Sequence, residues 1–207
     1  MNIKMDNVSD GFFINLILQR TGQLQALNLQ DKLQSWHKNG EKEIFLEIIK
    51  NKKIFKKYLD LLFEDINSEI KDLLPYFDKA NFGNLISIGP GNALIELILQ
   101  KKFNFNKLLL IDIENSTSHH HGYSNLGSGY ASLVDTKKFL IDNGIDKNQI
   151  IICNPNLQKI PNIKIDVLVS IISMGFHYPC DTYFEYIMRN SSKGYLIFLD
   201  KRKNIKD

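Results

Sequence analysis

The chain has 207 residues, with 26 Lys and Arg against 23 Asp and Glu, 43% hydrophobic and 24% charged residues; this excludes disordered, collagen-like and disulfide-stapled proteins and suffices for one core plus an appended element. The formal net charge of +3 resides in residues 201–207, where Lys201, Arg202, Lys203 and Lys206 stand against Asp207. The rest is balanced and gives no strong nucleic-acid signal, because binding a polyanion needs a concentrated basic face.

Residues 1–80 read as a helical N-terminal cap. Phe12, Phe13, Leu16 and Ile17 share one helical face, and Leu24, Leu27 and Leu33 continue the pattern less regularly. From Glu41 the positions Ile44, Ile48, Phe55, Leu59, Leu62, Ile66, Ile70 and Leu73 recur at helical intervals, with a break near Asn51 and a stop at Pro75. Such a stripe must bury against something. Lys50, Lys52, Lys53, Lys56 and Lys57 lie among Glu41, Glu43, Glu47 and Asp60 and read as a solvated face. Trp36 and His37 read as helix packing, or as a cap over the mouth of a site.

After Asn81-Phe82-Gly83 the period changes. Strands are expected over 84–88, 107–113, 149–153, 166–172 and 194–199, with helices through Gln100, over 128–143 and over 182–190. Four of the strands carry continuous apolar runs, as when helices cover both faces of a parallel sheet. Strand and helix alternate, which implies right-handed crossovers and a Rossmann-like, doubly wound α/β core over 81–207.

Residues 154–164, with Pro155 and Pro161, are too few and too broken for a crossover helix. Residues 114–127 form a long polar connection between a strand and a helix, and long loops at the carboxyl ends of parallel strands are where ligands sit. That loop carries His119, His120 and His121, with Tyr123 beside them and Tyr130 beyond. On an extended chain His119 and His121 point together while His120 points elsewhere. No second cluster completes a zinc pattern, so no metal is expected and a substrate-contacting or lid role is preferred for His121.

Gly89-Pro90-Gly91 lies at the first strand-to-helix turn, where absent side chains let a ligand approach the backbone. Asp112 follows about twenty residues on, at the end of the second strand, placed to accept hydrogen bonds from ribose hydroxyls. The plain alternative is a tight turn and a strand-capping acid. A full Gly-x-Gly-x-x-Gly needs glycine where Leu94 stands, which disfavours close pyrophosphate packing and so a dinucleotide. Cys153 and Cys180 are far apart, in no metal-ligand spacing, and read as reduced thiols of a cytoplasmic protein. Residues 1–6 lack the features of a signal peptide, and no apolar run approaches membrane-spanning length, so no membrane partner is expected.

Leu85-Ile86-Ser87-Ile88-Gly89-Pro90-Gly91-Asn92-Ala93 resembles the glycine-rich first motif of the class I S-adenosylmethionine-dependent methyltransferases, and Leu110-Ile111-Asp112-Ile113 resembles their second motif with its ribose-binding acid. The likeness covers roughly residues 82–203. More narrowly, His120-His121-Gly122-Tyr123, Gly129-Tyr130 and Ser173-Met174-Gly175-Phe176-His177-Tyr178-Pro179 resemble a bacterial group described as sugar O-methyltransferases.

The resemblance implies five parallel strands in order 3-2-1-4-5, without the two further strands that the family's sheet adds after the fifth. The outer edge is then exposed, covered by the N-terminal helices, or paired with another copy in a homo-oligomer. It implies S-adenosyl-L-methionine as cofactor, with Gly89, Pro90 and Gly91 beside its methionine part, Asp112 on the ribose, Asn154 near the adenine and Ser173 in the same set. Glu114 is the alternative ribose ligand if the second strand is shifted, and otherwise a solvated loop acid.

Residues 173–179 follow the fourth strand, where this fold commonly places substrate and catalytic groups. His177 is suited to accept a hydroxyl proton near neutral pH, with Tyr178 and His121 completing the candidate catalytic set; simple packing of Phe176, His177 and Tyr178 is the alternative. The Asn-Pro-Pro-Tyr or Asp-Pro-Pro-Tyr signature of amino-group methyltransferases is absent, which favours oxygen acceptors. The resulting expectation is methyl transfer to a hydroxyl of a small molecule or saccharide. An NAD(P)-binding Rossmann enzyme and a noncatalytic module retaining the fold stand as alternatives.

Overall fold

The computed structural model describes residues 3–77, 82–114, 122–125, 127 and 129–200. Five strands, β1 (Asn84–Ile88), β2 (Lys107–Ile111), β3 (Ile150–Cys153), β4 (Ile165–Ser170) and β5 (Ser191–Leu199), form one sheet in the order β3-β2-β1-β4-β5. Every pairing is parallel. Helices flank the sheet, giving the Rossmann-like α/β arrangement expected from the strand–helix alternation. The order reverses between β1 and β4, and at that point the carboxyl ends of an open parallel sheet leave a crevice.

Among the described residues five α-helices precede the sheet: α1 (Asp10–Gln19), α2 (Gly22–Ala26), α3 (Gln30–Asn39), α4 (Leu46–Lys50) and α5 (Lys52–Leu73). The break expected near Asn51 is the start of α5, where the Asn51 side chain accepts from Ile54 N. Pro75 sits in the 3-10 turn Leu74–Tyr76 that ends it. One face of α1 was expected to be buried; instead every residue from Phe12 to Leu18 is. The reason is that α1 lies between two layers. Phe12 meets Phe139 with ring centroids 4.9 Å apart, and Phe13 meets Phe55 of α5 at 4.7 Å.

Three further helices belong to the core: α6 (Leu94–Phe103), α7 (Leu133–Asp142) and α8 (Phe184–Asn190). α7 starts five residues later than expected because the Ser132 side chain caps it by accepting from Asp135 N. β2 stops at Ile111 rather than 113, since Asp112 Oδ1 accepts from Glu114 N at 2.9 Å and Glu114 turns the chain away with φ +59.

The two sheet faces are covered unequally. Leu85, Leu108, Leu110, Val167 and Val169 join α1, α5, α6 and α7 residues in one apolar cluster, so the N-terminal helices share a core with the sheet. Ile86, Ile88, Leu109, Ile111 and Leu168 point to the other face, where Ile187 of α8 and the side chains of Ile160, Ile163, Tyr178, Tyr183 and Tyr186 cover them. The thin cover follows from the helix-free connection between β3 and β4. β5 is an edge strand: Phe198 stacks on Phe77 at 5.4 Å, while Tyr195, Ile197 and Leu199 are exposed. Both cysteines are free thiols, Cys153 buried and Cys180 exposed. Among the described residues no helix is long and apolar enough to cross a membrane.

Candidate functional site

The turn after β1 is fixed on every side. Gly89 and Gly91 adopt φ +67 and +55, in the left-handed region that glycine occupies without penalty, and Ala93 follows them there at +54. Gly89 N donates to Ile111 O at 2.8 Å, and Thr136 Oγ1 of α7 donates to Gly91 O at 2.9 Å. A side chain at Gly89 would overlap Ser173, and one at Gly91 would overlap the Gln19 amide. Part of the space that the glycines vacate is thus taken by other parts of the chain.

Asp112, one residue past β2, closes on this turn. It is 8% exposed, and burial pushes it up to about 6, opposed by backbone N–H groups of Glu114 and Gly91 that favour its charged form. It is therefore ionised at neutral pH and presents a carboxylate at the strand ends. The two sequence motifs meet through the Gly91 N–H.

The chain beyond β4 folds back tightly. Ser173 O accepts from Phe176 N at 3.0 Å and His177 N at 2.8 Å, Gly175 N donates to Tyr178 O at 2.8 Å, and Ser173 Oγ lies 3.2 Å from the Tyr178 hydroxyl. This turn carries Phe176, His177 and Tyr178 onto the wall of the crevice. The far arm of the long loop closes over it: Ser124 N donates to His177 O at 2.9 Å, and a Cβ at Gly127 would lie 2.8 Å from the Tyr178 ring. Burial holds the Tyr178 phenol well above its usual range, so Tyr178 is a neutral hydrogen-bonding group.

These elements enclose a cavity of about 1320 Å³. Gly89, Pro90, Gly91, Asp112, Ser173, His177 and Tyr178 all line it. Asn154 does not; its amide donates to Ile113 O at 3.3 Å and Glu114 Oε2 at 3.0 Å, while Pro155 and Asn156 reach the wall. Glu114 is neither a wall residue nor a solvated acid, since its other oxygen accepts from Leu133 N at 2.9 Å and braces the start of α7. Tyr130 lines the cavity with the buried Trp36 behind it, ring centroids 5.8 Å apart, so Trp36 supports the wall without reaching the mouth. His119, His120 and His121 lie outside the described residues.

Sequence reading missed the contribution of the N-terminal helices. Gln19, at the end of α1, accepts from Asn92 N at 3.0 Å and donates to Asn92 Oδ1 at 3.1 Å, and Asn92 donates to Phe12 O at 2.7 Å. Arg20 follows on the same wall, held by Glu69 at 2.5 and 2.8 Å and by Asp65 at 3.3 Å. No local pattern signals these contacts, which join distant parts of the chain. Glu96 was also missed, though a signal existed: it interrupts the apolar run Leu94-Ile95-Glu96-Leu97-Ile98-Leu99. No protein-family model matches the chain and no curated protein matches it in sequence.

Proposed function

We propose that the chain is a cytoplasmic S-adenosyl-L-methionine-dependent methyltransferase acting on a hydroxyl of a small molecule or saccharide. The observation that carries this reading is the meeting of the glycine turn with the buried Asp112 carboxylate on one wall of a large cavity at the strand ends. The surrounding groups fit a cationic nucleoside without phosphates. Around the turn, Asn92 N–H is taken by Gln19 and Gly91 N–H is directed to Asp112, while the acidic Glu96 is among the residues of the same wall. A pyrophosphate needs free N–H donors at such a turn, so these contacts add to Leu94 in disfavouring NAD or NADP. The free thiols fit a reducing compartment.

When bound, the cofactor supplies a methyl group on a sulfonium, which leaves as a neutral thioether in a direct displacement. The chain then has to align the acceptor and take its proton. Asp112 accepts the ribose hydroxyls, and Gly89, Pro90 and Gly91 form the floor beside them. His177, on the turn that follows β4, takes the proton of the acceptor hydroxyl as the new O–C bond forms. Tyr178, neutral and tied to Ser173, orients the acceptor by hydrogen bonding. Tyr130, Phe176 and Tyr183 with Asn125 and Asn156 offer ring faces and amides, the surfaces that a sugar ring and its hydroxyls engage.

The test is transfer of labelled methyl from the donor to a panel of saccharides and small alcohols. Label is expected in an ether product, and His177→Ala is expected to lower turnover about 10²- to 10⁴-fold while leaving S-adenosylhomocysteine affinity unchanged. Binding of NAD with no response to the methyl donor would contradict the proposal; binding of neither would favour a noncatalytic module.

A further inference from the structure

The sheet is open along β5. Among the described residues β5 pairs with β4, and nothing pairs with its outer side. A register shift and Gly194, at φ +78, interrupt the first half of the strand. Leu196 to Leu199 then pair regularly with β4 and carry neither a charge nor a proline. Such an edge offers its unpaired N–H and C=O groups to another strand.

The two faces of this edge differ. Phe198 is covered by Phe77, where the N-terminal helices end. Ile197 stands opposite Leu168 of β4 and so points to the α8 side of the sheet, with Tyr195 and Leu199 two residues to either side. Tyr195, Ile197 and Leu199 are 37%, 37% and 43% exposed, so α8 leaves them uncovered. α8 nevertheless turns an apolar flank toward them. Its Ile187 faces the sheet, and Tyr186, whose hydroxyl donates to Pro161 O at 3.3 Å, lies toward the connection between β3 and β4. Met188 is on the opposite flank, the one toward β5, with Phe184 one turn before it. These two are 58% and 57% exposed. The five side chains together leave roughly 400 Å² of apolar surface in water, enough for the apolar core of an interface of about 800 Å² per partner.

We infer that this edge is the docking surface for a second copy of the chain, related by a twofold axis normal to the sheet near Ile197. This goes beyond the methyl-donor reading and does not depend on it. The surface is self-complementary, as a twofold contact requires. Its open edge calls for an uncharged strand with apolar residues at alternate positions, and β5 is such a strand. About this axis β5 meets its twin antiparallel, which keeps Tyr195, Ile197 and Leu199 of both copies on one face. α8 runs against the strand direction, so the two α8 helices also lie antiparallel and close over that stripe. The charges agree with this arrangement. Asp181 precedes α8 at the carboxyl end of the sheet and Lys193 stands where β5 begins; both are exposed, and among the described residues neither is in an ion pair. The axis carries Lys193 of each copy toward Asp181 of the other.

The experiment is sedimentation velocity of the full chain, without ligand, over a series of micromolar concentrations. A reversible monomer–dimer equilibrium is expected. Ile197→Lys places two ammonium groups near the axis and is expected to weaken dimerisation at least about 100-fold, and Phe184→Ala about tenfold. Leu157→Lys, at an 81% exposed position on the connection between β3 and β4, is expected to stay within about twofold of the wild type. Lys193→Glu is expected to weaken dimerisation about threefold, and adding Asp181→Lys to restore it. A wild type that stays monomeric throughout overturns the proposal, as does a dimer that Ile197→Lys leaves intact; a double variant that is not restored overturns the antiparallel arrangement. Should circular dichroism show Ile197→Lys to be unfolded, Met188→Glu on the exposed flank of α8 is measured instead; weakening of at least about tenfold supports the proposal, and an unchanged equilibrium overturns it.

Discussion

Asp112 and Glu96 are both raised by burial, and each gives the protein a pH dependence of defined sign. Asp112 loses its charge as pH falls through about 6, and hydroxyl donors bind the ionised form better. Affinity for S-adenosylhomocysteine is therefore expected to increase as pH rises through that value and then to flatten. Asp112→Asn is expected to lose this step and to bind about 10- to 100-fold more weakly near neutral pH; calorimetry across the range checks both. Glu96 is pushed from an ordinary value of 4.5 up to about 7. Its contribution to stability is fully present below the lower value and is lost as pH rises through the higher one. Glu96→Gln never charges, so its urea midpoint is expected to gain on the wild type between about pH 5 and pH 8, by an amount equivalent to at most about 3 kcal/mol. An equal difference at both pH values would contradict this origin of the shift.

At the scale of elements, the descending arm of the long loop must hug the residues that leave β2. A Cβ at Gly129 would overlap the Glu114 carbonyl, and the Glu114 side chain anchors both α7 and Asn154. Gly129→Ala is expected to cost on the order of 1–3 kcal/mol in urea unfolding, whereas Gly122→Ala, with open space around it, is expected to stay within about 0.5 kcal/mol. What the sequence reveals about the elements follows the range of the forces involved. The core strands, the start of α5 at Asn51 and its end near Pro75 are legible because hydrophobic period, an N-cap and a proline act within a few residues. The all-round burial of α1 is not, because it depends on α5 lying over Phe13. The glycine turn and Asp112 are legible as a pair because the fold places them at adjacent strand ends. Gln19 on Asn92 is invisible until the N-terminal helices are docked, and Asn154 reads as a wall residue only if its binding to Glu114 is unknown.

For the molecule as a whole, the N-terminal helices and the sheet share one apolar cluster and also share the cavity. Trp36 joins the two, fully buried in the helical layer and packed on Tyr130 of the wall. Trp36→Ala is expected to cost about 3–5 kcal/mol in urea unfolding, while Lys56→Ala on the exposed face of α5, where Lys56 pairs with Asp60, is expected to stay within about 0.5 kcal/mol. The central claim is that the cavity at the β1 and β4 ends receives a phosphate-free nucleoside cofactor. It is tested most directly by calorimetric titration of the full chain with S-adenosylhomocysteine, NAD and NADP. Saturable binding of S-adenosylhomocysteine, weakened about 10- to 100-fold in Asp112→Asn, with no heat from either dinucleotide is the expected result; tight binding of NAD or NADP with no response to S-adenosylhomocysteine would contradict it.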